Sequence, residues 1–420
     1  MKVIDAICVT SSYQKRQQIQ FDETSGLILQ VGDLGLKPDY RYDDDCLLFA
    51  GMGDIHIHAR EDISGKNNYK EDFCSAHAAM INGGVTHAGD MPNNPVPPID
   101  NSSYEAKLKL AVEKAHGDLW LYAGIGPATK PLSYTVPYKV YMGPSVGELF
   151  FKDLETLDET LKHYQGQWVS FHCEDPEILE EHKTEDEHHN RRPIIAEAVA
   201  TRDAISLIEK YKLNGKLCHY SSEEGLNLVR EARKRGVTIH LEVTPQHLCF
   251  DVNELSEKER AFFQMNPPIR FEKDKKAMLA ALKNGEIQYL ATDHAPHTME
   301  EKQKGTSGLT GLDTFGPFVA WLMKEGMDPK LIALVASENP GDFYNQFLNS
   351  WKKISSEFEK FGLGLGHLKT NFRANFTVLN LNKAFVLKEE NLKTKVGHSP
   401  FLGFHFPGQV EAVFIGGQKV

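Results

Sequence analysis

Between residues 51 and 345, short apolar strands alternate with amphipathic helices, and this alternation predicts an α/β fold with parallel strands. The count of eight candidate strands favours a closed (β/α)8 TIM barrel over an open doubly wound sheet. Strand texture returns at both chain ends, which predicts a small composite β domain formed by the N- and C-terminal segments. Polar and titratable residues gather toward the C-terminal ends of the strands, the face on which such barrels build active sites.

The first segment, 1–50, carries "VIDAICVTSS", "QIQFDE" and "LILQVGDLG", with no long helical period, and is expected to be the N-terminal part of the β domain. The barrel is expected over 51–345. Its strands read "GDIHIHA", "VTHAGDMPN", "LWLYAGIGPA", "KVYMGPS", "WVSFHCED", "KLCHYSS", "VTIHLEVTP" and "IQYLATDHAP". Helical runs such as "SYEAKLKLAVEKAH", "AEAVATRDAISLIEKY", "GLNLVREARKRG" and "KDKKAMLAALKNG" separate most of them. In the last segment, 346–420, the helical "DFYNQFLNSWKKISSEFEKF", which begins at 342, gives way to "NFTVLNLNKAFVL" and "GHSPFLGFHFPGQVEAVFIGGQKV". The stretch "EEHKTEDEHHNRRP" (180–193) reads as a charged loop whose histidines are solvated.

Composition excludes some classes of function. The chain of 420 residues is 41% hydrophobic and 25% charged, an ordinary globular balance with material for a large core. Its net charge of -11 argues against nucleic acid and anionic membrane surfaces as partners, since both want a basic face. An anionic small substrate stays compatible, because one local arginine can dominate a pocket. No stretch approaches the roughly 18 apolar residues of a membrane span, and the N-terminus lacks a signal-peptide core. Six scattered cysteines without a CxxC read as reduced thiols, so a cytoplasmic protein is expected.

In a strand, residues i and i+2 share a face. In "DIHIHAR" that places His56 and His58 together, with Asp54 and Arg60 continuing the same face. Two imidazoles at that spacing suit zinc and related divalent ions, although the motif alone is weak. His172 and His219 at other strand ends, with Asp293 in "TDHAPH", make the cluster convergent. Lys139 faces the same space; an unpaired ammonium there is costly, so it must be paired, displaced or chemically modified. Cys218 and Glu242 offer an additional zinc site beside His172, although a packed thiol and a hydrogen-bonded carboxylate suit them better. His77, His87 and His240 read as structural histidines.

The set "DIHIHAR", "MPNN", "FHCED", "CHYSS", "EVTPQHL", "NPPIR" and "TDHAPH" resembles the dihydroorotase family of the amidohydrolase superfamily, over nearly the whole chain. The resemblance implies reversible, metal-dependent hydrolysis or closure of a cyclic amide, between dihydroorotate and N-carbamoyl-L-aspartate in pyrimidine (UMP) biosynthesis. It implies two Zn2+ per subunit: His56, His58 and Asp293 on the more buried ion, His172 and His219 on the second, and a carbamylated Lys139 bridging them. Asp293 becomes the proton shuttle; Arg60, Asn93, Asn266 and His297 become substrate contacts, with His297 covering the ring from a loop. The partner is then a small molecule, with a homo-oligomer or aspartate transcarbamoylase as possible protein partners. Lys152 competes with Lys139 but sits in a poorer, helix-leading context. Asn94, Gln246, Thr310 and Asp313 depart from the family pattern without touching a proposed ligand. The alternatives are a hydantoinase or allantoinase type of cyclic amidohydrolase, and a catalytically inactive relative partnering aspartate transcarbamoylase. Arg60 weighs against the former and the intact ligand set against the latter.

Overall fold

The computed structural model describes residues 1–144 and 149–420. Its barrel strands are Met52–Ile57, Val85–Asp90, the broken pair Leu119–Leu121 and Ala123–Ile125, Tyr138–Tyr141, Trp168–His172, Asn214–Leu217, Ile239–Val243 and Tyr289–Leu290. They pair in parallel in chain order. A parallel bridge between Ile57 and His294 brings the last strand back to the first and closes the barrel. Every expected strand is present, and one is interrupted: "LWLYAGIGPA" breaks at Tyr122, whose hydroxyl donates to Ile55 O at 2.9 Å. Ser145, the last residue of "KVYMGPS", lies outside the described residues.

Local signals explain the helices. Asn101–Ala115 starts from a capping box in which Asp100 accepts from Ser103 N, and Glu223–Lys234 starts from Ser222 accepting from Gly225 N. The expected helical return is Asn339–Ile354, followed by a 3-10 turn over Ser356–Phe361. Its Phe343, Tyr344 and Trp351 pack against Trp120, with ring centroids 5.7, 6.2 and 5.6 Å away. Large aromatic rings buried together form the bulk of the core there. His87 is structural, as expected: it lies fully buried where a Cβ on Gly53 would come within 2.2 Å of its Nε2.

Both chain ends build one sheet. Its order runs Gln418–Lys419, Gln409–Ile415, Phe376–Asn380, Cys46–Ala50, Lys2–Val9, Gln14–Asp22 and Leu27–Gly32. Cys46–Ala50 pairs in parallel with the first strand and antiparallel with Phe376–Asn380, so the two ends join through it. Thr377 ties this sheet to the barrel: its hydroxyl donates to Gly84 O at 2.7 Å and accepts from Met52 N at 3.1 Å. All six cysteines are free thiols. No helix among the described residues is long and apolar enough to cross a membrane.

The 180–193 stretch corrects the expectation of a solvated loop. A short helix, His188–Arg191, forms within it, and His188 bonds Met265 O at 2.9 Å through Nε2. Arg192 turns inward and pairs with the fully buried Glu174. The sequence signal there was charge density, which does not report which charge finds a partner inside.

Candidate metal centre and substrate pocket

The site sits at the C-terminal ends of the barrel strands, around a cavity of about 280 Å³. His56, His58, Lys139, His172, His219 and Asp293 line it together, with Arg60, Asn93 and Asn266. Four imidazoles stand in a row, His58, His56, His219 and His172, with successive ring centroids 5.3, 5.3 and 4.8 Å apart. At one end of the row, Asp293 Oδ1 lies 3.2 Å from His56 Nε2 and 3.0 Å from His58 Nε2. At the other, His172 Nδ1 faces His219 Nε2 at 3.0 Å.

Three of the four rings are aimed by a partner behind them. Glu242 Oε1 holds His56 Nδ1 at 2.6 Å, Asn93 Oδ1 holds His58 Nδ1 at 2.7 Å, and Glu174 Oε2 holds His172 Nε2 at 2.8 Å. Such partners fix the tautomer and leave the opposite nitrogen free for a ligand. Burial keeps His58, His172 and His219 below the ordinary imidazole range, so their lone pairs are free near neutral pH. His56 differs. Burial pulls its imidazolium down, but the carboxylates of Glu242 and Asp293 lift it to about 9. Burial also raises Asp293, and His56, His58 and Lys139 outweigh it, which keeps the carboxylate ionised. His56, His58 and Asp293 thus present three donors within 4.8 Å of one another, a set that fits a divalent cation.

Two lysines enter the barrel interior, and their surroundings separate them. Lys216 pairs with Glu242 and is stably charged. Lys139 Nζ reaches Cys218 Sγ at 3.0 Å and pairs with no described carboxylate. Lys152 lines a separate cavity with Asp153 and Asp175. Cys218 and Glu242 fall beside His56, not beside His172 as the sequence suggested. Glu242 is already engaged there, by His56, Lys216 and the backbone N–H of His219.

The pleat places fewer residues than expected. The first strand ends at Ile57, and Asp54 turns away from the cavity to accept from Thr292 N and Thr292 Oγ1 at the barrel closure. Arg60 reaches the pocket through a left-handed backbone with φ 64°, a conformation shared by His219 (34°) and Asp293 (48°). For side chains other than glycine, such a backbone costs roughly 1–3 kcal/mol and persists where surrounding contacts enforce it. His297 does not line the cavity; its Nε2 sits 3.1 Å from Arg60 Nη2. The cavity is instead bounded on that side by Thr306, Ser307 and Gly308. Tyr141 also lines it, two residues beyond Lys139 on the same strand face. Glu174 could have been anticipated from its i+2 spacing to His172, whereas Arg192 carries no sequence signal of its role.

Three of the four departures from the family pattern are absorbed locally. Asn94 Oδ1 accepts from the buried Lys107 at 2.5 Å, and Thr310 Oγ1 donates to His398 O at 2.6 Å. Asp313 accepts from the N–H groups of Lys393 and Thr394. Gln246 is buried with both amide atoms unpartnered.

A parallel barrel with imidazole and carboxylate donors at its C-terminal mouth defines a hydrolase class, and the chain belongs to the amidohydrolase family, whose description matches residues 47–347. Among relatives, the chain is 29% identical to the dihydroorotase of Pyrococcus furiosus over 402 residues, covering 94% of this chain and 87% of that one. It is equally 29% identical to the dihydroorotase of Methanosarcina acetivorans, covering 84% and 77% of the two chains. Among solved structures, L-hydantoinase from Arthrobacter aurescens superposes with a TM-score of 0.85 at 20% identity, over 100% of this chain and 96% of that one. At that identity the likeness speaks for the fold.

Proposed function

We propose that the chain acts as a dihydroorotase, interconverting dihydroorotate and N-carbamoyl-L-aspartate in pyrimidine biosynthesis. The observation that carries this reading is Arg60. Its guanidinium is buried beside the metal-ligand set and has no carboxylate partner among the described residues. A buried cation without an anion is costly, and the substrate's free carboxylate would supply one. Hydantoin, dihydrouracil and allantoin carry no such carboxylate. The relatives named dihydroorotase, matched over most of the chain, support the same choice.

Within this reading, His56, His58 and Asp293 would hold one zinc ion and His172 with His219 a second. Lys139, free of any described acid partner, would serve as a further ligand to these ions once carbamylated by carbon dioxide. When bound, such ions polarise the amide carbonyl and lower the pKa of water. The chain's residues do the rest. Arg60 Nε donates to Pro296 O at 3.2 Å, which anchors the guanidinium and leaves Nη1 for the substrate carboxylate. Asn93 holds His58 and borders the same space. Asn266 lines the same cavity. Asp293, ionised at neutral pH, accepts the proton of the attacking water and passes it to the departing ring nitrogen; ring closure runs the transfer backwards. Six unpaired thiols support a reducing, cytoplasmic setting.

The test is a spectrophotometric assay of metal-analysed protein with dihydroorotate, dihydrouracil, hydantoin and allantoin. Dihydroorotate is expected to be turned over with the highest kcat/KM, and Arg60→Met to remove that preference. Preferential turnover of hydantoin or allantoin would overturn the reading in favour of the hydantoinase type. Turnover of none would favour the inactive relative.

A further inference from the structure

Lys302 is buried, 2% exposed, on the short helix Met299–Gln303 that follows "TDHAPH". Its Nζ donates to three backbone carbonyls: Gln264 O at 3.0 Å, Thr306 O at 2.9 Å and Gly308 O at 2.8 Å. An ammonium has three protons to donate, and all three are used. No described carboxylate pairs with it, and the ring of Phe262 lies 5.6 Å from Nζ. Burying a lysine without an acid is unfavourable, and burial pushes its pKa down to about 7. A side chain so placed is poorly explained as general packing, because an apolar residue of similar length would fill the space without the desolvation.

The three carbonyls come from two segments that both border the substrate cavity. Gln264 stands two residues before Asn266, and Thr306 and Gly308 are themselves wall residues. Gly308 N donates to Gln264 O at 2.8 Å, so Lys302 and this bond hold the same two strands of chain together. Gly308 is also pressed against the Arg60 side of the pocket: a Cβ there would come within 2.5 Å of Ala295 O. Its φ of +138° further restricts the position to glycine. This segment is therefore held closely in place as part of the cavity wall.

We infer that Lys302 is a positioning residue for substrate binding, a clamp that draws segments 264–266 and 306–308 together to shape the wall beside Arg60. The inference rests on the cyclic-amidase reading of the cavity but not on which cyclic amide it takes. Lys302 touches none of the metal-ligand set, so its removal acts on the pocket wall and leaves metal uptake alone.

The experiment compares wild type with Lys302→Met and Lys302→Arg. KM, kcat and metal per chain are measured with whichever cyclic amide of the dihydroorotate, dihydrouracil, hydantoin and allantoin set the wild type prefers. The expected result for Lys302→Met is a KM raised about tenfold or more, with kcat within about threefold and metal content unchanged, the signature of lost uniform binding. Lys302→Arg keeps the charge, but its planar fork spreads its donors over three nitrogens and cannot meet three carbonyls converging on one atom, and a smaller KM increase of about threefold is expected; this variant decides the matter where the methionine variant does not fold. An unchanged KM in a folded variant would overturn the clamp, as would loss of metal and kcat together. Preference of the wild type for hydantoin would overturn the dihydroorotase reading alone and leave the clamp to be judged on hydantoin.

Discussion

In the metal-free site His56 carries a proton that its neighbours lack. Glu242 and Asp293 outweigh burial and hold its pKa at about 9, whereas His58 sits at about 4 through burial. A cation needs the free Nε2, so zinc uptake near neutral pH is expected to release one proton from His56. Apparent affinity should rise about tenfold per pH unit and level off as pH passes about 9. Calorimetry in buffers of different ionisation enthalpy measures the released proton directly. The sign for stability is the reverse: a raised folded pKa adds stability to the metal-free fold below the ordinary imidazole pKa of about 6.5. That contribution disappears as pH rises through about 9. Asp293→Asn is expected to keep most of the metal and lower kcat by at least about 100-fold, the scale of a lost proton shuttle. At this scale the convergence of His56, His58, Lys139, His172, His219 and Asp293 on one cavity was legible from strand-end spacing and family resemblance together. The position of His297 was not, because a side chain beyond a strand end is placed by turn geometry, which spacing does not encode.

Elements decide how firmly those residues are held. His172 ends the strand Trp168–His172, and its imidazole is aimed by Glu174, which Arg192 neutralises from the 180–193 stretch. Burial alone would raise Glu174, but Arg192 and His172 hold its carboxyl well below the usual range. Glu174→Gln is expected to weaken binding of the second metal by about 10–100-fold while leaving the fold intact, read by competition with a zinc chelator. An undiminished affinity would mean that packing, not Glu174, orients the ring. The strands and main helices were readable from period and caps. The inward turn of Arg192 was not, since a run of mixed charges looks the same whether one member is solvated or buried.

The whole molecule joins two bodies that are separate in sequence pattern and continuous in hydrogen bonding. Strand texture at the two ends predicted a shared domain, and the sheet joins them through Cys46–Ala50. What pattern could not show is how that domain reaches the site. Thr377 caps Met52 N, the first residue of the strand that carries His56 and leads into His58. Thr377→Val preserves shape but strands Met52 N and Gly84 O in the interior, and is expected to lower stability by about 1–3 kcal/mol in denaturant unfolding. Activity of the surviving folded fraction should be unchanged.

The closing bridge at Ile57 and His294 has a mechanical consequence. The last strand contributes only Tyr289–Leu290 to the ladder, so the seam between first and last strands rests on few main-chain bonds, His58 N to His294 O at 2.7 Å among them. His56 and His58 lie on one lip of that seam and Asp293 on the other. An ion held by all three would act as a rivet through that seam, fastening the scaffold that presents its ligands. Chelation is expected to speed amide hydrogen exchange first in residues 54–60 and 289–297, while the strands opposite keep their protection.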